Sequence, residues 1–175
     1  QWLRLRHGLF PYLYTMNYRT HAQHLPLVQP MYYSHPKCQA AYEVPNQYWF
    51  GSELVVAPIT QPRNENSGLA KVDVWLPAGS WFDMFTGLHY ASKKGRKLQM
   101  HRQLDTVPVL AKAGAIVPMA RYEKCDNRLH NAPQMDVLVF PGASNRFELY
   151  EDMGDYSDYQ KGAFAQTDMV LAWGH

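Results

Sequence analysis

The sequence predicts a mainly β chain, α+β when taken whole, in which an antiparallel β-sandwich follows a helical start. Three observations carry this. In residues 2–22, Leu5, Leu9, Leu13 and Met16 fall on one face of a 3.6-residue helix. Beyond residue 52, short apolar runs recur at roughly 8–12-residue spacing between Gly, Pro and polar turns, as sandwich strands do. The stretch Val72 to Gly87, VDVWLPAGSWFDMFTG, alternates Val72, Val74 and Leu76 with Asp73 and Trp75, then bends and restarts at Trp81.

Composition narrows the functions. A length of 175 residues suits one ordinary domain or two small ones. The 46% hydrophobic content supports a core. A net charge of +2 gives no electrostatic reason to expect nucleic acid, and no apolar run approaches the ~20 residues of a membrane span. Two cysteines, Cys38 and Cys125, exclude a disulfide framework and are compatible with a cytoplasmic protein. The 12 tyrosines and 5 tryptophans suit β-sheet and also suit sugar binding, so they decide nothing alone.

In order along the chain, Pro11 removes a backbone donor from the first helix, so a kink or a helix start is expected near it, with Gly8 relieving the crowding. Tyr12, Tyr14 and Tyr18 need hydroxyl partners if buried, and no downstream segment is an obvious docking partner for this helix. Pro26 and Pro30 keep 25–33 extended, and Ser34-His35-Pro36 is a turn. A short, helix-like segment over 39–51 leads to a buried strand at Leu54–Ile59 and a polar loop at 63–68. Val72–Gly87 is expected to be a hairpin turning at Pro77-Ala78-Gly79. Tyr90–Leu98 is a Lys/Gly-rich connection. Val107–Met119 is a second expected hairpin around Lys112-Ala113-Gly114, and 120–133 is a polar loop. Strands follow at 135–140, 147–150 and 169–173, with an acidic turn at 151–154. The opening at Gln1, inside an apolar-periodic segment, suggests a piece of a longer polypeptide.

These segments, in this order, resemble the C-terminal part of glycoside hydrolase family 31, the α-glucosidase and α-xylosidase family. LFPYLYTM (9–16) is similar to the last-but-one barrel helix, and PLVQPMYY (26–33) to the following barrel strand, where many members have Arg in place of Gln29. NQYWFGSELVVAPI (46–59) resembles the exit into the sandwich. VWLPAGSWFDMFTG and VPVLAKAGAIVPM are similar to recurrent sandwich segments. FELYEDMG (147–154) resembles a distal-domain motif that usually has an acidic residue where Met153 stands. The resemblance implies three parts: the C-terminal end of a (β/α)8 barrel in 1–52, a proximal β-sandwich in 53–132, and the start of a distal β-domain in 133–175. It also implies a retaining α-glycosidase with no cofactor, acting on an α-linked oligosaccharide or glycoside, whose two catalytic aspartates precede this chain.

The residues themselves offer no complete catalytic site. Asp83-Met84 after Trp81-Phe82 superficially resembles the family's nucleophile motif but lacks its Asn and Glu, and is not assigned. His35 and Cys38 are spaced like metal ligands, without a third or fourth. Glu151, Asp152, Asp155 and Asp158 lack EF-hand spacing and are expected to be a solvated turn. His101 and His130 have no triad partners at a recognisable spacing. If 27–33 is the last barrel strand, Tyr33, Ser34 and His35 lie at its C-terminal end, where a barrel holds its active site. They are the candidate substrate-rim residues, the other reading being a loop that packs against the sandwich, with Gln29 and Tyr32 expected in the barrel wall. Two function classes follow: part of an α-glycosidase bracing its barrel, or a non-catalytic module binding carbohydrate or a partner through exposed aromatics such as Trp75 and Trp81. A lone chain with an undocked helix would be expected to behave poorly in solution unless it forms a homo-oligomer.

Overall fold

The computed structural model describes residues 2–122, 131–154 and 156–174. In chain order its elements are α1 (Trp2–Gly8), α2 (Phe10–Gln23), β1 (Val28–Pro30), α3 (Met31–Ser34), β2 (Tyr48–Phe50), β3 (Leu54–Val56), β4 (Ala70–Leu76), β5 (Gly79–Asp83), β6 (His89–Ser92), β7 (Arg96–Arg102), β8 (Val109–Lys112), β9 (Ile116–Ala120), β10 (Met135–Val139), β11 (Asn145–Asp152) and β12 (Phe164–Leu171). Every strand pairing among the described residues is antiparallel. The chain divides into two compact units: Val28–Ala113, and Gln1–Leu27 with Gly114–His175. No helix among the described residues is long and apolar enough to cross a membrane.

Val28–Ala113 is a sandwich. One layer is a six-stranded sheet of order β1-β2-β3-β8-β5-β6, and the other is the β4-β7 pair. Val55 of β3, Trp81 of β5 and Leu110 of β8 meet Val74, Trp75 and Leu76 of β4 and Met100 of β7 in one core cluster. Both stretches expected to be hairpins supply their strands but not that pairing. β4 pairs with β7, whereas β5 pairs with β6 and β8. Pro77 has no N–H to close a tight turn, and Gly79 takes φ 127°, so the chain arches from one layer to the other. That arch lets Val74, Leu76 and Trp81 all face the same interior.

Two strands lie in what the sequence presents as a charged connection. β6 and β7 flank Lys93-Lys94-Gly95, and β7 pairs along the whole of β4. Lysines hide this strand because they occupy its outward side: Lys97 forms an ion pair with Glu43, while Leu98 and Met100 face the core. The stretch expected to be a barrel strand holds one short strand here. β1 is three residues long and pairs antiparallel with β2, after which Met31–Ser34 turns helical. The barrel is not part of this chain, so β1 joins the sandwich sheet, which includes residues on both sides of position 52. The expected helix over 39–51 is a 3₁₀ turn, Gln39–Ala41, followed by β2.

The other unit answers what the first helix docks on. α1 and α2 are separate helices, and Pro11 lies in the first turn of α2, where its missing N–H costs nothing. Gly8 allows close approach: a Cβ there would meet Met119 Cε at 3.4 Å and the Ala120 carbonyl at 3.5 Å. α2 packs on β11. Tyr12, fully buried, stacks on Phe147 with centroids 5.9 Å apart, and Tyr18 stacks on Tyr150 at 3.7 Å. Thr15 Oγ1 accepts the Tyr150 N–H at 3.1 Å. Asp152 receives the Tyr14 hydroxyl at 2.5 Å, the Tyr150 hydroxyl at 2.9 Å and the Gly154 N–H at 2.8 Å. The expected acidic turn is therefore partly strand, since β11 runs through Asp152. Asp155, Cys125, His130 and most of the expected loop 120–133 lie outside the described residues.

The second expected hairpin fails as the first did. β8 pairs with β3 and β5, and β9 pairs with β10. The change occurs at Ala113-Gly114: the Ala113 N–H goes to the Ser80 carbonyl and the Gly114 N–H to that of Phe140. Gly114 has φ 81°, and a Cβ there would sit 2.7 Å from the Ala143 carbonyl oxygen. Gly114→Ala is expected to cost about 1–3 kcal/mol from the φ alone, plus the backbone clash. A lower urea midpoint at unchanged slope checks this, and an unmoved midpoint would contradict it.

The Tyr14–Asp152–Tyr150 group carries a pH signature. Burial, followed by the hydrogen bond to Asp152, pushes the Tyr14 hydroxyl up to about 12, and Tyr150 is raised for the same reasons. Burial pushes Asp152 up, but hydrogen bonds from Tyr14, Tyr150 and Gly154 outweigh it, leaving its pKa lowered. A phenol whose folded pKa lies above its unfolded value of about 10 binds its proton more tightly when folded. Its stabilisation is complete below about pH 10 and is lost as pH rises through the folded value. Melting temperature should therefore fall between about pH 10 and 12, and Tyr14→Phe should make that fall shallower. An identical slope in the variant would place the alkaline loss elsewhere.

Candidate functional site

The three predicted rim residues lie on one turn of the Val28–Ala113 unit. Pro30, at φ −58° and ψ 149°, ends β1 and starts α3. Met31 anchors this turn in the core, and Ala41 anchors its far end. His35 leaves the helical region, and its carbonyl accepts the Cys38 N–H at 3.0 Å. Between the two anchors the side chains face outward. Tyr33 is 62% exposed and Ser34 is exposed.

His35 differs from the other two. It is half-buried, with its ring edge on Trp75 at a centroid distance of 5.2 Å and an interplanar angle of 85°. Its Nδ1 is buried with no hydrogen-bond partner among the described residues. Trp75 itself is buried, contrary to its expected outward position in β4. Period 2 would expose it, but His35 covers that side, and Gln47 holds its backbone. Gln47 Nε2 donates to the Trp75 carbonyl at 2.6 Å, and Gln47 Oε1 accepts the Trp75 N–H at 2.9 Å. Trp81 is buried too, its Nε1 donating to the Pro77 carbonyl at 3.0 Å. The two tryptophans are core residues, not exposed binding aromatics.

Within Val28–Ala113 the exposed Tyr, Trp and Phe side chains are three tyrosines, two of them not foreseen as site residues. Tyr32 is not a wall residue: it stacks on Tyr42 with centroids 4.9 Å apart and planes within 7°. Tyr33 meets Tyr32 edge-on at 5.4 Å. The Tyr42 hydroxyl donates to the Pro36 carbonyl at 3.0 Å, tying the far ring to the turn. Tyr32 was within reach of sequence reasoning, being next to Tyr33. Tyr42 lies ten positions further on with no local signal, and only the bend at 35–41 brings it back.

The buried carboxylates are committed to structural partners. Asp83 is fully buried, accepts the Phe85 and Thr86 N–H groups at 3.0 and 3.1 Å, and forms an ion pair with Arg102. Glu53 faces Lys112 at 3.2 Å and accepts the Ser52 hydroxyl at 2.7 Å. A half-open cleft of about 210 Å³ beside the turn is lined in part by Glu43, Asn46, Thr60, Lys71 and Asp73. There Glu43 pairs with Lys97, and Asp73 accepts the Gln99 amide. Among the described residues no three His, Cys, Asp or Glu side chains are grouped to hold a metal ion, His35 and Cys38 included.

Residues 24–117 match the model of the glycosyl hydrolase family 31 C-terminal domain. An α-xylosidase of Saccharolobus solfataricus is 29% identical over 169 residues, covering 94% of this chain and 22% of the relative. The crystal structure of the α-xylosidase of Xanthomonas citri superposes with a TM-score of 0.82 at 31% identity, over 95% of this chain and 17% of that one. A dextranase of Flavobacterium johnsoniae, complexed with isomaltotriose, gives 0.81 at 28% identity, over 96% and 20%. The chain thus spans about a fifth of the length of the relatives it matches.

The turn stands on Trp75, and Trp75 stands on Gln47. Gln47→Ala leaves a buried N–H and a buried carbonyl unpaired, and is expected to cost about 2–4 kcal/mol. The check is a lower urea midpoint with a red-shifted tryptophan emission. A loss below about 1 kcal/mol would mean that water replaces the amide at no penalty.

Proposed function

Because this chain belongs to glycosyl hydrolase family 31, through the C-terminal domain of that family, we propose that it is the C-terminal support of a retaining α-glycosidase. The complete protein hydrolyses terminal α-glucosides or α-xylosides. The observation that carries this reading is the continuity of the match, which runs through helices, sandwich and distal strands alike over about 95% of the chain. A retaining mechanism needs two carboxylates about 5–5.5 Å apart, one nucleophile and one acid/base. The family resemblance implies that both catalytic aspartates lie upstream of this chain, and the buried Asp83 and Glu53, with Asp152, are held by structural partners. The sandwich braces the barrel they stand on, and Tyr33, Ser34 and His35 contribute to the rim of the pocket.

The test uses the full-length polypeptide with aryl α-glucoside and α-xyloside substrates, and NMR of the first sugar released. The expected result is turnover of at least one substrate with the α-anomer formed first, and none by residues 1–175 alone. A β-anomer first, no turnover of either substrate, or turnover by residues 1–175 would each overturn the reading.

A further inference from the structure

We draw no further inference here: the strongest candidate, the cleft lined by Arg4 and His7 of α1 with Arg121, Tyr122 and Asp136, adjoins in sequence residues 123–130, which lie outside the described residues, and nothing in the structure shows what covers it.

Discussion

The side chain of Gln47 is the constraint on which the sandwich and its outer turn depend. It gives Trp75 both a donor and an acceptor in a place where water does not reach. Trp75 is the residue of β4 that breaks alternation, because it is buried although its neighbours Val74 and Leu76 already fill the core side. A strand residue buried against the rule needs cover on its second face, and His35 supplies it. The turn at 31–42 is therefore not a loop laid over a finished sandwich. Met31 and Ala41 reach into the core, His35 seals Trp75, and the tyrosines between them are left facing water as a consequence of that anchoring.

The helical segment follows a similar logic in its own unit. The face it buries is Pro11, Tyr12, Thr15 and Met16, with Leu5, Leu9 and Leu13 only half-buried, and Tyr12 stacks on Phe147 of β11. Its polar atoms are matched one to one, Thr15 with the Tyr150 N–H and Tyr14 with Asp152. A buried helix–strand contact with hydroxyls on it is stable only if each hydroxyl finds a partner. Asp152 serves two phenols and a backbone N–H at once; those bonds lower its own pKa and add to the burial that raises Tyr14 and Tyr150. The helix that looked undocked thus has its partner about 135 residues away in the same chain.

Among the candidate residues, legibility followed distance along the chain. Tyr33, Ser34 and His35 were singled out because they end a stretch expected to be a strand, and strand ends are places where side chains converge. That inference assigned the strand to a barrel, whereas β1 is an edge of the sandwich sheet. Tyr42 was missed because its relation to Tyr32 is created by the bend between them. The tryptophans were placed outside on the strength of period 2, which describes one face at a time and does not register a strand covered on both.

The sequence by itself determined where the first helical segment and the apolar strands lie, though not β6, β7 or the form of 31–51, since alternation, helical spacing and Pro or Gly breaks are local properties of the chain. It also carried the family likeness, in short segments whose order survives substitution. Only the tertiary structure decided which strands pair, and it overturned both expected hairpins for the same reason. Neighbours in sequence form a hairpin when the chain between them can fold back in the plane of the sheet. At Pro77–Gly79 and at Ala113–Gly114 it does not, so the strands on either side join different sheets. The carboxylate partners and the Tyr32–Tyr42 ring contact belong to the same category, because each joins residues whose proximity exists only after the chain has folded.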